Sequence, residues 1–236
     1  MRPPIKAKSI TDQAYDYIRN AILTGDLTAG IHLNEGRLAE ETGTSRLPIR
    51  EALQRLSYEG LVELQPRRGA FVASLGRSAA AETLDITGAL LGLAVVRTVE
   101  FASGDDVCKM RARHDEVRAL IESATTVGYP HHVFDLHLAI VAAAEAPLLA
   151  GLLEQLGTQI KLIRLHSPLK ATAADGLTAW EEHDRILRAI EARDAEAARI
   201  ATVEHLHNVK RRLLDRMGAA GDLERTRTTG TGEEST

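Results

Sequence analysis

Two sets of residues in this chain carry chemistry more specific than solvation or packing. The first is cationic. Arg46 and Arg50 stand at the head of "GTSRLPIREALQRLSYEGL", four residues apart. A helix therefore places them on one face beside its own start. Arg67, Arg68 and Gly69 follow in a short turn between two apolar runs. Guanidinium groups match guanine O6 and N7, and bind phosphate bidentately. Thr44 and Ser45 add hydroxyls, and a helix N-terminus favours an anion. Together these residues suit a surface that meets a nucleic acid. The second set is imidazole. His137 shares an apolar helix face with Phe134, Ile140 and Val141, His183 with Leu187 and Ile190, and His205 with Ala201 and Val209. One such histidine is most often a hydrogen-bonded core residue. Three, from three helices, make a reasonable site for a divalent metal.

The elements that hold these residues are marked by caps and glycines. Ser9 with Asp12 reads as a helix start, followed by Tyr15, Ile18, Ile22 and Leu23 at helical spacing. Gly25 and Gly30 bracket a break, and a short helix fits Glu35 to Glu41, ended by Gly43. Ser45 is placed to cap the next helix. Pro48 falls in its first turn, where a missing N–H is harmless, and Gly60 falls at its end, where a left-handed residue is common. Leu61 to Leu64 and Ala70 to Ala73 read as strands around a turn at Pro66 and Gly69. Three helices and a β-hairpin over 1–76 form a winged helix-turn-helix, whose second motif helix enters the major groove. From Ser78 the pattern is helical, with helices predicted near 79–102, 105–123, 130–145, 147–166, 178–192 and 194–216. Thr178 with Glu181 matches a capping box, and Asp194 caps the last helix. The fold class is mainly α: a winged helix followed by an all-helical bundle over 77–217. Residues 218–236, rich in Gly, Thr and Glu, read as a disordered tail.

Bulk properties fit this division. Apolar residues make up 44% of the 236 and aromatics only 3%, which favours packed helices over a sandwich or barrel. A lone cysteine, Cys108, excludes a disulfide within the chain and points to a reducing, cytoplasmic setting. The basic "MRPPIKAKS" has no apolar core of a secretory signal. Arg97 and Glu100 break "ITGALLGLAVVRTVEF", which reads as a buried helix rather than a membrane span. Residues 1–76 carry ten Lys/Arg against nine Asp/Glu, and the remainder nineteen against twenty-four, so a near-neutral front joins an acidic back. There is no nucleophile elbow, phosphate-binding loop or dinucleotide fingerprint, and no catalytic residue is assigned. The enzymatic alternative is a metal-dependent hydrolase in which the His cluster activates water. Glu154, Glu181 and Glu182 are nearby acids, but none has a spacing that demands catalysis.

The stretch "LAEETGTSRLPIREALQRLSYEGLVELQPRRGAFVA" resembles the winged helix-turn-helix of GntR-type transcriptional regulators over roughly residues 9–74. That family's pattern is approximately L-A-x-x-x-G-V-S-R-x-P-V-R-E-A-L-x-x-L-x-x-E-G-L-V, with a basic wing ending in Gly. Thr44 replaces its Val. The resemblance implies DNA contacts from Arg46 and Arg50, with Gly69 allowing close approach of the wing. Many members carry another DNA-contacting Arg just before the "LA". That position is Gly36 here, and Arg37 stands one place later. "LHLAIVAAAEAPLL" and "EEHDRILRAIEARDAEAARIATVEHL" resemble the all-helical FCD effector domain of the FadR subgroup. Members with a metal site use three histidines, matched by His137, His183 and His205, and an Asp four residues before the first, which is Val133 here. The implied cofactor is Zn or Ni, completed by water or an effector carboxylate; the alternatives are an acidic effector held by the histidines directly, without metal, and a partly degenerate pocket. The family's R-x-x-L-E pattern, which faces the pocket, is "TGALL", Thr87 to Leu91, in this chain, implying a more apolar wall. The function so implied is a ligand-responsive regulator, a repressor, acting as a homodimer on a palindromic double-stranded operator. Its small-molecule effector is a carboxylate with an apolar body.

Overall fold

The computed structural model describes residues 8–122, 129–165 and 172–229. The basic N-terminus, the end of the tail and the side chains of 129–135, Val133 among them, lie outside the described residues. The chain divides into two compact units. The first takes in 8–76 with 157–165, and the second the remaining described residues.

In the first unit, α1 (Ile10–Thr24) starts where Ser9 Oγ accepts from the Asp12 N–H at 3.0 Å, and it ends at Gly25 with φ 91°. Helix α2 (Glu35–Thr42) is capped by Asn34, whose Oδ1 accepts from the N–H groups of Gly36 and Arg37. It ends at left-handed Gly43, which turns the chain into α3 (Arg46–Tyr58). Ile18 and Ile22 of α1 close on Ile49, Leu53 and Leu56 of α3, together with Leu61 and with Leu162 from the distant 157–165 segment. Strands β1 (His32–Leu33), β2 (Val62–Gln65) and β3 (Gly69–Val72) form an antiparallel sheet in the order β1-β3-β2, with His32 opposite Phe71 and Gln65 opposite Gly69. The sequence shows the hairpin but not β1, because two residues are too short to display alternation. At the hairpin tip the Arg68 N–H bonds Gln65 O, and Arg67 takes a left-handed φ of 63°.

Ser45 is a correction. It occupies the N-cap position of α3, but its hydroxyl makes no cap hydrogen bond. The third helical residue is Pro48, which has no N–H to offer, so the usual capping partner does not exist. Ser9→Ala is expected to cost about 1 kcal/mol in urea unfolding, as a working cap does, while Ser45→Ala costs a small fraction of that. Equal losses in the two variants would refute this account.

The second unit is helical: α4 (Arg77–Phe101), α5 (Gly104–Glu122), α6 (Tyr129–Ala143), the front of α7 (Pro147–Leu165), α8 (Ala173–Glu191) and α9 (Ala195–Thr229). Among the described residues α4 alone is long and apolar enough to cross a membrane, and half of its apolar window is buried within the structure. Its neighbours are α6, α8 and α9. Gly88 and Gly92 set the closeness of α4 and α9, since a Cβ at either would lie 3.3 Å from Leu206 or Val203. Thr98 Oγ1 donates across to Ile140 O of α6 at 2.7 Å. Two arginines bind carbonyls at helix ends: Arg97 reaches Ala144 O and Glu145 O beyond α6, and Arg193 reaches Val99 O and Ala102 O at the end of α4.

Two boundaries differ from the sequence reading. The capping box lies at Thr172 and Asp175, and Thr178 is inside α8 with its hydroxyl on Ala174 O. Ala173 and Ala174 are strong helix formers and carry the helix back to the earlier Thr-x-x-Asp box. The last helix continues to Thr229, into the stretch read as a tail. Asp194 caps it as expected, accepting from the Ala197 N–H.

Candidate nucleic-acid interface and candidate metal centre

The turn from α2 to α3 places both helix starts side by side. Arg50 grips Glu35 with a two-bond fork, Nε to Oε1 at 3.0 Å and the second nitrogen to Oε2 at 2.7 Å. These hydrogen bonds hold the Glu35 carboxyl below its ordinary pKa, against the opposing effect of burial. The Arg46 guanidinium lies over Gly36, where a Cβ would come within 3.2 Å of it. Arg46 and Arg50, both exposed, thus form one surface cluster with the half-buried Glu35 and Gly36. Arg37 stands apart from it, bonded to Glu41 one turn along α2 at 2.7 Å. Ser45 is exposed and Thr44 half-buried at the start of α3. Arg67, Arg68 and Gly69 are exposed at the wing tip, with the Arg68 guanidinium 5.4 Å from the Phe71 ring centre. Gly69 leaves room for the His32 ring, whose Nε2 lies 2.8 Å from where a Cβ would stand. Glu35, not singled out from sequence, is fifteen positions from its arginine and gives no local signal.

In the helical unit the three predicted histidines converge. His137 of α6, His183 of α8 and His205 of α9 are all buried, and one nitrogen from each lies within 4.8 Å of the others. His183 Nε2 and His205 Nε2 are 3.0 Å apart. His205 Nδ1 meets Glu182 Oε2 at 2.7 Å. Glu182, only 4% exposed, is also gripped by both terminal nitrogens of Arg212 at 2.9 Å and by Asn208 Nδ2 at 3.0 Å. Burial alone would raise the pKa of this carboxyl. The hydrogen bonds from Arg212 and His205 outweigh burial and hold it at about 2. An ionised carboxylate only accepts, so His205 donates from Nδ1 and turns the lone pair of Nε2 towards His183.

That arrangement fits a divalent metal. Metal–nitrogen bonds of about 2.1 Å set donors roughly 3.0–3.4 Å apart. The His183–His205 pair has this spacing already, and His137 has further to close. A carboxylate behind a ligating imidazole is the usual support for such a site. Sequence reading noted Glu182 only as a nearby acid and missed Asn208 and Arg212. The signal was present, since His205, Asn208 and Arg212 recur at i, i+3 and i+7 on one face of α9.

A cavity of about 330 Å³ reaches this centre at His183. Its apolar lining includes Phe101, Met110, Val117, Leu136 and Ala139, and Lys109 and Arg113 supply cations. Thr87 to Leu91 are not among its lining residues, which corrects the sequence expectation. Thr87 is buried with its hydroxyl on Thr83 O, Leu91 is buried, and Gly88 abuts Leu206 of α9. The residues there serve the contact between α4 and α9.

Comparison with known proteins agrees with both halves. Residues 10–72 match the model of the bacterial regulatory proteins of the gntR family, and residues 82–208 match the FCD domain. The Uxu operon transcriptional regulator of Escherichia coli is 32% identical over 223 residues, covering 84% of each protein. The probable D-xylose utilization operon transcriptional repressor of Paenarthrobacter nicotinovorans is 30% identical over 206 residues, covering 84% of this chain and 86% of the relative. The solved structure of E. coli McbR/YncC shares the fold with a TM-score of 0.73 at 24% identity, over 89% of this chain and 99% of that one. These named relatives are regulators, which sets aside the hydrolase reading. The chain belongs to the gntR family of bacterial regulatory proteins and is a DNA-binding transcription regulator with a winged helix-turn-helix head and an FCD effector-binding domain.

Proposed function

We propose that this regulator is a cytoplasmic repressor that binds a palindromic operator as a homodimer and is modulated by a carboxylate with an apolar body, held at a three-histidine metal centre. The carrying observation is that the buried histidines converge and that a largely apolar cavity opens onto His183. His137, His183 and His205 hold the ion, Zn or Ni, and Glu182 orients His205. The ion supplies a Lewis-acid seat for carboxylate oxygens. Lys109 and Arg113 add charge complementarity, and the alanines and leucine of α6 enclose the body of the ligand. Ligand binding favours one arrangement of the two heads in the dimer and so changes operator affinity.

On the DNA side, Arg46 and Arg50 read base edges, Thr44 and Ser45 contact phosphate, and Arg67, Arg68 and Gly69 carry the wing into the adjacent groove. Arg37, tied to Glu41, adds a peripheral contact. A two-fold dimer requires matching half-sites, hence the palindrome. Arg46→Ala and Arg50→Ala are each expected to cost about 1–3 kcal/mol in operator binding, measured against random DNA at fixed salt. The same loss on both DNAs would reassign the side chain to phosphate contact.

A further inference from the structure

Helix α3 turns Ile49, Ala52, Leu53 and Leu56 into the core of its unit. By helical periodicity its opposite face carries Leu47, Arg50 and Gln54, all exposed. Leu47 is the outlier there. It is 63% exposed, stands in the first turn, and lies next to Arg46 and three residues before Arg50. Glu51, one turn after Leu47, accepts from Thr11 Oγ1 of α1 at 2.9 Å. The leucine therefore has a guanidinium on one flank and a carboxylate on the other. A phosphate is drawn to the first flank and repelled from the second, so the leucine's own place is not a seat for the DNA backbone. Single exposed leucines are ordinary on a protein surface. This one stands at the end of a recognition helix that faces base edges, where an apolar side chain gains only if another apolar group meets it.

We infer that Leu47 is a specificity-determining residue that packs on the C5-methyl group of a thymine, beside the bases met by Arg46 and Arg50. This rests on the proposed reading of base edges by α3. In the major groove guanine, adenine and cytosine present hydrogen-bond donors and acceptors, and thymine alone adds a methyl group. Leucine has nothing to exchange with the polar edges and would leave them desolvated without a partner. Discrimination therefore works in both directions, as a gain against thymine and a penalty against the other three bases. The neighbouring arginines favour guanine, whose O6 and N7 both accept. The preferred half-site is expected to carry a thymine close to a guanine.

The test starts from duplexes enriched out of a random pool by the full-length protein. Each thymine of the enriched site is replaced singly by deoxyuridine, which keeps base pairing and removes only the methyl group. Affinity is read by fluorescence anisotropy at fixed salt. One thymine per half-site is expected to cost about threefold or more in affinity when its methyl is removed, as burial of one such group implies. Leu47→Ala, too short to reach from the same backbone, binds the thymine duplex more weakly by a similar factor, and there the deoxyuridine penalty largely disappears. Leu47→Gln, taken through its own enrichment, keeps the guanines and loses the preference for thymine. Leu47 lies outside the core of its unit, so both variants are expected to melt with the parent. A deoxyuridine penalty unchanged in Leu47→Ala assigns the methyl to another group or to DNA shape, and overturns the inference. So does the absence of any sensitive thymine, or an equal loss by Leu47→Ala on enriched and random DNA. Those outcomes leave the arginine contacts standing. A pool that yields no preferred sequence overturns the reading of base edges itself, and the inference with it.

Discussion

Glu182→Ala is expected to destabilise the helical unit by about 3 kcal/mol, because it leaves the Arg212 guanidinium and the Asn208 amide facing a buried gap. The Arg212 side chain is 19% exposed, so some of its charge can be rehydrated, which places the loss at the lower end of the usual range. The same variant frees His205 from its Nδ1 acceptor and is expected to weaken metal affinity by about 10–100-fold. Thermal and urea unfolding of metal-free protein isolates the first effect, and zinc titration the second. Acid dependence carries the same signature. The folded pKa is depressed from the ordinary 4.5 to about 2, so the carboxylate's stabilisation is complete above pH 4.5 and is lost as pH falls towards 2. Glu182→Ala should therefore lose less stability than the parent across that window. A variant within about 0.5 kcal/mol of the parent at pH 7, the range of an ordinary surface change, would show that the network holds nothing together.

The second large effect concerns the metal. Protein purified without chelator is expected to carry about one divalent ion per chain by mass spectrometry, and His137→Ala or His183→Ala to carry none. Adding Zn²⁺ at a hundred times its dissociation constant should raise parent stability by about 2.7 kcal/mol and leave both variants unmoved. The winged helix is expected to stay folded in each, since neither histidine belongs to its unit. Equal metal content in parent and variants would remove the three-histidine centre. No metal in any sample would mean that Val133, standing where relatives with a metal site place an aspartate, abolished it. Neutral histidines would then hold the ligand directly.

Much of this was legible in the sequence because the decisive features are local. Caps at Ser9 and Asp194 and left-handed glycines at 25, 43 and 60 fix helix ends within a few residues of themselves. The three histidines were found because each sits on an apolar stripe of its own helix. Features set by partners across the fold were not legible. Nothing near Glu35 announces Arg50, and nothing near Glu182 announces that its charge is balanced thirty residues away by Arg212. Ser45 was misread because the cap rule considers the capping side chain and not whether the receiving residue, Pro48, has a proton to give. "TGALL" was assigned to the pocket from its place in a pattern. Its Gly88, with Gly92 just beyond it, instead allows α9 to approach.

Leu162 has a consequence for how such regulators recombine. It is fully buried among the residues of the winged helix, although it lies far beyond Gly76 in the chain. Gln159 covers Gly60 and Leu165 covers Gly25 in the same unit. The DNA-reading module is therefore discontinuous as a gene segment. A transplant that moves only the first 76 codons onto a foreign sensor leaves behind a piece of the module's own interior. The new host would have to supply an apolar residue at the vacated seat. Successful natural shuffling of these heads should then be recorded as paired changes, with one partner in the head and the other about a hundred positions downstream.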